Sequence, residues 1–272
     1  MNNTKNTAAG ARYWIYNPKA KKNIVAVHGL RGTHHGLQFI AASLPQYRLI
    51  IPDLPGFGQS KPLASVHNEK NYTAWLGKFI NDLKLQQPPV LLGHSFGSIV
   101  ASSFAAKNPK KISQLILINP ISEHGNALGG LAAKGYYQLG NLLPESVGTK
   151  LLKSRLVTRM MSETMLTSKQ KNLRNRVHEQ HFAYFATFAN RRSVHEAFQA
   201  TINGSVMHVA NKLTMPVLLI VGAKDRFVPL RGQMQLYKNL PNAKMQILPK
   251  VGHLIHYETP EKAAEKIAEF IS

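Results

Sequence analysis

The sequence predicts an α/β fold, a mostly parallel doubly wound sheet with one helical insertion. Two observations carry this. Short apolar runs bounded by turn residues alternate with helix-length segments toward both ends of the chain, and the stretch between them has helical patterning without a strand-like run. Strands buried on both faces read as continuous apolar runs, and strand–helix alternation implies parallel pairing.

In chain order, residues 24–27, 48–51, 90–92 and 115–118 read as buried strands, with helices over 71–85 and 97–107 between them. Residues 121–205 hold helical segments such as 150–161 and 177–188, with Pro120 and Pro216 near the two ends. The pattern then resumes with strands at 217–221 and 244–248 and an amphipathic helix over 260–271. The division expected is a core of residues 1–120 and 206–272 with an inserted helical unit over 121–205. Residues 2–10, polar and without periodicity, read as a loose terminus.

The 272 residues fit one large domain. The chain carries 34 Lys and Arg against 13 Asp and Glu, a formal charge of +21, yet charged residues make up only 17% because acids are scarce. The excess is spread: 14 bases and 3 acids in residues 1–120, 11 and 5 in 121–205, 9 and 5 in 206–272. Such a spread reads as a solvated basic surface, not a specific nucleic-acid site, which would interleave stacking aromatics with its cations. No cysteine is present, which removes disulfides, Cys-ligated zinc, iron–sulfur clusters and thiol catalysis. No secretory pattern opens the chain and no apolar run approaches the roughly 18–20 residues of a membrane span, so a cytoplasmic protein without stable membrane insertion is expected.

The chemistry concentrates at Gly93-His94-Ser95-Phe96-Gly97. A buried strand runs to Gly93, and a helix rich in small residues follows Ser95. In that context Gly-x-Ser-x-Gly forms a sharp turn that lifts the serine hydroxyl above the sheet edge. A serine needs a base, and the base an orienting acid. His253, on the loop after the last strand, reaches the carboxyl edge of the sheet; His256 competes but lies nearer the closing helix and lacks the preceding glycine. Asp225 follows strand 217–221 at the same edge, whereas the corresponding position after strand 115–118 is Asn119, which offers no carboxylate.

The order Ser95, Asp225, His253 resembles that of the α/β-hydrolase superfamily, and the resemblance extends over nearly the whole chain. It implies a helical cap at 121–205. Val27-His28-Gly29-Leu30 is similar to the family's His-Gly loop, implying that the backbone NH groups of Leu30 and Phe96 form an oxyanion hole. Asp53-Leu54-Pro55-Gly56-Phe57-Gly58-Gln59-Ser60 resembles a structural turn of the superfamily, so Asp53 is not expected to act in catalysis. Arg31, His34 and His35 are left between a pocket rim and an exposed loop. The serine at the elbow separates the chain from haloalkane dehalogenases and epoxide hydrolases of this fold, which use aspartate there.

The function expected is a serine hydrolase cleaving small or medium carboxylic esters through an acyl-enzyme on Ser95. It would take a small-molecule acyl substrate and need no metal or organic cofactor. Two alternatives stand. The run Gly222 to Pro229, with Asp225-Arg226 before Pro229, looks like the carbon–carbon hydrolases of ring-cleavage ketoacids, and a hydrolase fold can serve as a non-catalytic binding module. Met and aromatic side chains of the insertion read more readily as packing than as pocket lining. Leu142, Leu143 and the basic stretch 150–159 leave contact with an anionic interface open. Oligomeric state is not legible.

Overall fold

The computed structural model describes residues 3–123 and 127–272. Eight strands form one sheet: β1 (Asn3–Ala8), β2 (Ala11–Tyr16), β3 (Lys22–Val27), β4 (Tyr47–Pro52), β5 (Val90–His94), β6 (Gln114–Ile118), β7 (Val217–Gly222) and β8 (Ala243–Leu248). Their spatial order is β1-β2-β4-β3-β5-β6-β7-β8. β1 and β2 are antiparallel to their neighbours, and every other pairing is parallel.

The core helices are α1 (His34–Ala42), α2 (Glu69–Asp82) and α3 (Phe96–Lys107). Between β6 and β7 come α4 (Ala127–Leu142), α5 (Glu145–Leu152), α6 (Arg155–Met165), α7 (Lys171–Tyr184) and α8 (Arg191–Asn203). The chain returns through α9 (Leu230–Asn239), a short α10 (Ile255–Glu258) and α11 (Pro260–Ile271).

Strand alternation builds two cores from one sheet. In β3, Val25 and Val27 join Phe79, Val100 and Phe104 on one face, while Ile24 and Ala26 join Leu37, Ile40 and Ile267 on the other. Both faces are covered, as a parallel sheet requires. From β3 the chain crosses outward to β4, then returns to β5 on β3's other side. Binding crevices of open α/β sheets form at the carboxyl ends of strands at such a reversal.

The loose terminus expected at residues 2–10 is instead β1, paired with β2 in a six-residue antiparallel register. Ala9 and Gly10 both have positive φ, 47° and 75°, the backbone of a two-residue hairpin turn. The sequence Asn3 to Ala8 has no apolar alternation because β1 is an edge strand held by backbone pairing. The helix expected over 150–161 is broken at Lys153 and Ser154, where the Ser154 hydroxyl accepts from the Val157 N–H and starts α6. The helix expected over 177–188 begins earlier, at Lys171.

Candidate active site

β5 runs one residue beyond Gly93, and Ser95 stands between it and α3 with φ 52° and ψ −120°. That conformation costs a non-glycine residue about 1–3 kcal/mol, which the surroundings must over-determine. They do so at both ends. The Ser95 N–H donates to Ile118 at 3.1 Å, and its carbonyl accepts from the Ser98 N–H at 2.8 Å and the Ser98 hydroxyl at 2.5 Å. The flanking glycines are steric necessities: a Cβ on Gly93 would stand 2.6 Å from the Gly97 carbonyl oxygen, and one on Gly97 would collide with the Val27 carbonyl.

Ser95, Asp225 and His253, about 130 to 160 residues apart in the case of the serine and its partners, meet at the carboxyl edge of the sheet. The Ser95 hydroxyl donates to His253 Nε2 at 2.9 Å, and His253 Nδ1–H donates to Asp225 Oδ2 at 2.7 Å. A carboxylate accepts only, which fixes the proton on Nδ1 and leaves Nε2 free to take the serine proton. Asp225 Oδ1 accepts from the N–H groups of Phe227 and Val228 at 2.8 and 3.1 Å. Burial pushes the Asp225 carboxyl up, but the neighbouring His253 and these two amides outweigh it and hold the group below its ordinary value. All three side chains are buried. His256, the competing base, is also buried, with its ring 4.2 Å from that of His94.

The turn after β3 is closed by the Gly32 N–H donating to Gly29 at 3.0 Å, with Arg31 at φ 58°. It lies against the elbow: a Cβ on Gly29 would be 3.2 Å from Ser95 Cβ. Leu30 therefore stands in the loop beside the serine. Phe96, the first residue of α3, has an N–H with no acceptor inside the helix. Beneath the turn, His28 accepts the Leu54 N–H on Nε2 at 2.9 Å and donates from Nδ1 to Gly29 at 2.8 Å. Asp53 is fully buried and spends both oxygens on protein donors, Oδ1 on the His34 N–H and Nδ1 and Oδ2 on the Gln59 N–H. These bonds tie the carboxylate into the turn.

Sequence reasoning missed the residues that hold this arrangement. Asn119 Nδ2 donates to the carbonyls of Gly252 and His253 at 2.9 and 3.0 Å, and its Oδ1 accepts the Gly222 N–H at 2.8 Å. His94 Nε2–H donates to the same His253 carbonyl at 3.2 Å. Burial, with His253 next, lowers the His94 pKa to about 3, so it stays neutral. Thr167, on the loop after α6, accepts the Gly252 N–H at 3.1 Å, and its hydroxyl and N–H both donate to Glu258.

Arg31 and His34, left open as rim or exposed loop, are both buried. The Arg31 guanidinium donates to Phe185 from Nε at 3.0 Å and to Phe185 and Leu152 from Nη2 at 2.9 and 2.7 Å. A residue adjoining Leu30 thus fastens the turn to α5 and the end of α7. His34 opens α1 and stacks on Trp14 at 3.4 Å, while His35 stacks on Tyr184 at 3.7 Å. The glycine turn of residues 56–58 also grips the insertion, with Gly58 N–H donating to Thr187 at 2.7 Å and Ala189 N–H to Gly56 at 2.9 Å. Two open surface clefts, one between α2 and α8 and one between α2 and α3, contain none of the three site residues. Among the described residues no cluster of three or more His, Cys, Asp or Glu could hold a metal ion, and no helix is long and apolar enough to cross a membrane.

Comparison with known proteins agrees with this architecture. A family model described as the alpha/beta hydrolase fold matches residues 22–260. An uncharacterized hydrolase of Bacillus subtilis (strain 168) is 28% identical over 274 residues, covering 95% of this chain and 93% of that protein. A 2-hydroxy-6-oxononadienedioate/2-hydroxy-6-oxononatrienedioate hydrolase of Paraburkholderia phymatum is 26% identical over 230 residues, covering 83% of this chain and 76% of that protein. An esterase of Exiguobacterium antarcticum superposes with a TM-score of 0.79 at 17% identity, covering 98% of each chain. With a family model matched over most of its length and the sheet order and strand-end turns described above, the chain belongs to the α/β-hydrolase fold family.

Proposed function

We propose that this α/β hydrolase cleaves small or medium carboxylic esters through an acyl-enzyme on Ser95. The observation that carries the reading is the relay from the Ser95 hydroxyl to His253 Nε2 at 2.9 Å and from His253 Nδ1–H to Asp225 at 2.7 Å, with the serine on a strained turn. As Ser95 Oγ bonds to the ester carbonyl carbon, His253 Nε2 takes its proton and the carbonyl π electrons move onto oxygen. The N–H groups of Leu30 and Phe96 are the donors assigned to that oxyanion. Such donors are fixed before the charge develops, so they need little reorganisation in the transition state.

Collapse of the tetrahedral adduct breaks the carbon–oxygen bond to the alcohol, which leaves with the proton held on Nε2. Water then repeats the sequence on the acyl-enzyme, giving its proton to His253, and the acid departs as Ser95 recovers the proton. Asp225 holds the imidazole tautomer and stabilises its transient cation throughout. Neither half-reaction needs a group beyond the chain and water. The helical insertion is the cap in this reading, seated over the site through Arg31 and Thr167.

A second reading is hydrolysis of a carbon–carbon bond in a ring-cleavage ketoacid. It is favoured by the relative from Paraburkholderia phymatum and by the Asp225-Arg226 run before Pro229. Turnover of p-nitrophenyl esters of graded acyl length and of a ring-cleavage dienoate, on wild type and Ser95→Ala, separates the readings. Ester turnover lost in Ser95→Ala supports the proposal. A large preference for the dienoate moves the assignment to carbon–carbon hydrolysis, and no turnover of either by wild type favours a binding module.

A further inference from the structure

The outer surface of the insertion is apolar where folding alone would make it polar. Leu131 and Leu142 on α4 are 66% and 72% exposed, and Leu156 and Met160 on α6 are 71% and 61% exposed. With Leu139 on α4 and Val147 on α5, they are six of the eleven strongly exposed large apolar side chains among the described residues. At 100° per residue Leu131, Leu139 and Leu142 fall within roughly 80° of one another on α4. Leu156 and Met160 are one turn apart on α6.

α6 is the most telling element. It buries Thr158 and Ser162, and the Ser162 hydroxyl sits between His178 Nδ1 at 2.9 Å and His181 Nδ1 at 2.8 Å. The helix thus turns hydroxyls inward and leucine and methionine outward. Burying such a side chain would stabilise the fold, a gain this helix forgoes twice. α4 and α5 lie close together: a Cβ on Gly148 would collide with the Gly140 carbonyl, which sets Val147 near the C-terminal half of α4.

The same three helices, and the short link between α5 and α6, carry Lys134, Lys150, Lys153, Arg155 and Arg159 against two acids, Glu145 and Glu163. Both acids are already engaged, Glu145 by Arg191 at 3.3 Å and Glu163 by Arg174, by His178 and, at 3.6 Å, by Arg159 of the same helix. Lys153 and Arg155 rest over the rings of Phe188 and Phe182 at 5.2 and 4.3 Å. Exposed leucines interspersed with cations that outnumber the acids of these helices five to two match the chemistry of a surface that binds the boundary of an anionic bilayer. A second copy of the chain is the poorer occupant, because an isologous contact would set these cations against each other.

We propose that the outer face of α4, α5 and α6 docks on an anionic lipid surface. The leucines and Met160 enter the headgroup boundary while the lysines and arginines meet the lipid phosphates. The proposal stands apart from the ester reading, since docking needs no turnover.

The test is co-sedimentation of the full chain with phosphatidylcholine vesicles, with and without phosphatidylglycerol, at about 0.15 M salt, where attraction between distant charges is largely screened. Wild type should bind the mixed vesicles and leave the neutral ones. A triple variant, Leu142→Ser, Leu156→Ser and Met160→Ser, keeps the charge and should lower the partition coefficient about tenfold or more, with an unchanged melting temperature. Binding by the triple variant equal to wild type would reduce the attraction to the +21 charge and overturn the proposal. No binding by wild type, or equal binding to neutral vesicles, overturns it as well. So does a dimer in sedimentation velocity that the triple variant dissociates, which would make this face a self-contact.

Discussion

The Asn119 amide donates to the His253 carbonyl at 3.0 Å, tying the loop of the candidate base to the strand beside the nucleophile's own. Asn119 follows the last residue of β6 with φ 42°, a conformation asparagine tolerates better than most side chains. From there one side chain reaches both loops that matter, donating to residues 252 and 253 and accepting from Gly222, three residues before Asp225.

Asn119→Ala removes all three bonds and leaves the relay residues in place. A loop displaced by about 1 Å is enough to cost about 100-fold in rate, so kcat on a p-nitrophenyl ester should fall on that order while KM stays within about threefold. Initial-rate kinetics read both parameters. A variant with wild-type kcat would show that His94 and Thr167 hold the loop unaided.

Arg31 makes a prediction about stability. Its guanidinium is buried and bonded to the carbonyls of Phe185 and Leu152. Arg31→Met leaves the Phe185 carbonyl without its donor, at about 1–3 kcal/mol, while the Leu152 carbonyl keeps the Tyr136 hydroxyl at 3.2 Å. For a domain of this size, 1 kcal/mol shifts Tm by about 2–4 °C, so a fall of roughly 2–12 °C is expected by differential scanning fluorimetry. Arg31→Lys keeps the charge but not the fork, and should fall between the two. A Met variant melting with wild type would mean that water replaces the guanidinium.

Acid should destabilise the fold through its buried histidines. Burial lowers His94 and His181 to about 3, with like-charged neighbours adding to the effect. Unfolded, each titrates near 6.5, so between about pH 6.5 and pH 3 the unfolded chain binds protons the folded chain refuses. Stability therefore falls as pH falls through that window, by up to about 1.4 kcal/mol per pH unit for each histidine. His35, lowered to about 4 but less buried, adds a share screened by solvent. Asp225, held below its ordinary value, contributes stability that is complete above the unfolded carboxyl range and lost only under more acid conditions. Thermal melts from pH 7.5 to about pH 4.5 should show Tm dropping steeply below 6.5, with a shallower slope in His181→Gln; a flat Tm contradicts the prediction.

The central strands and the relay were legible because each is written locally. Buried parallel strands are continuous apolar runs, the elbow has its glycines at fixed spacing, and Asp225 and His253 each follow a readable strand. β1 was not legible, since its polar residues 3–8 are specified by backbone pairing with β2 and not by apolar alternation. Arg31 was ambiguous because its environment comes from Leu152 and Phe185, more than a hundred residues away. From the sequence Asn119 reads only as a position without a carboxylate. Its position just after β6 and its amide's capacity to donate twice and accept once were the available signal.

The most direct test of the central claim is covalent trapping. After incubation of the full chain with a fluorophosphonate at neutral pH, peptide mass spectrometry should place one adduct on Ser95, with labelling lost in Ser95→Ala and strongly slowed in His253→Ala. An unlabelled wild type, or an adduct on any other residue, would contradict the assignment of Ser95 as the nucleophile.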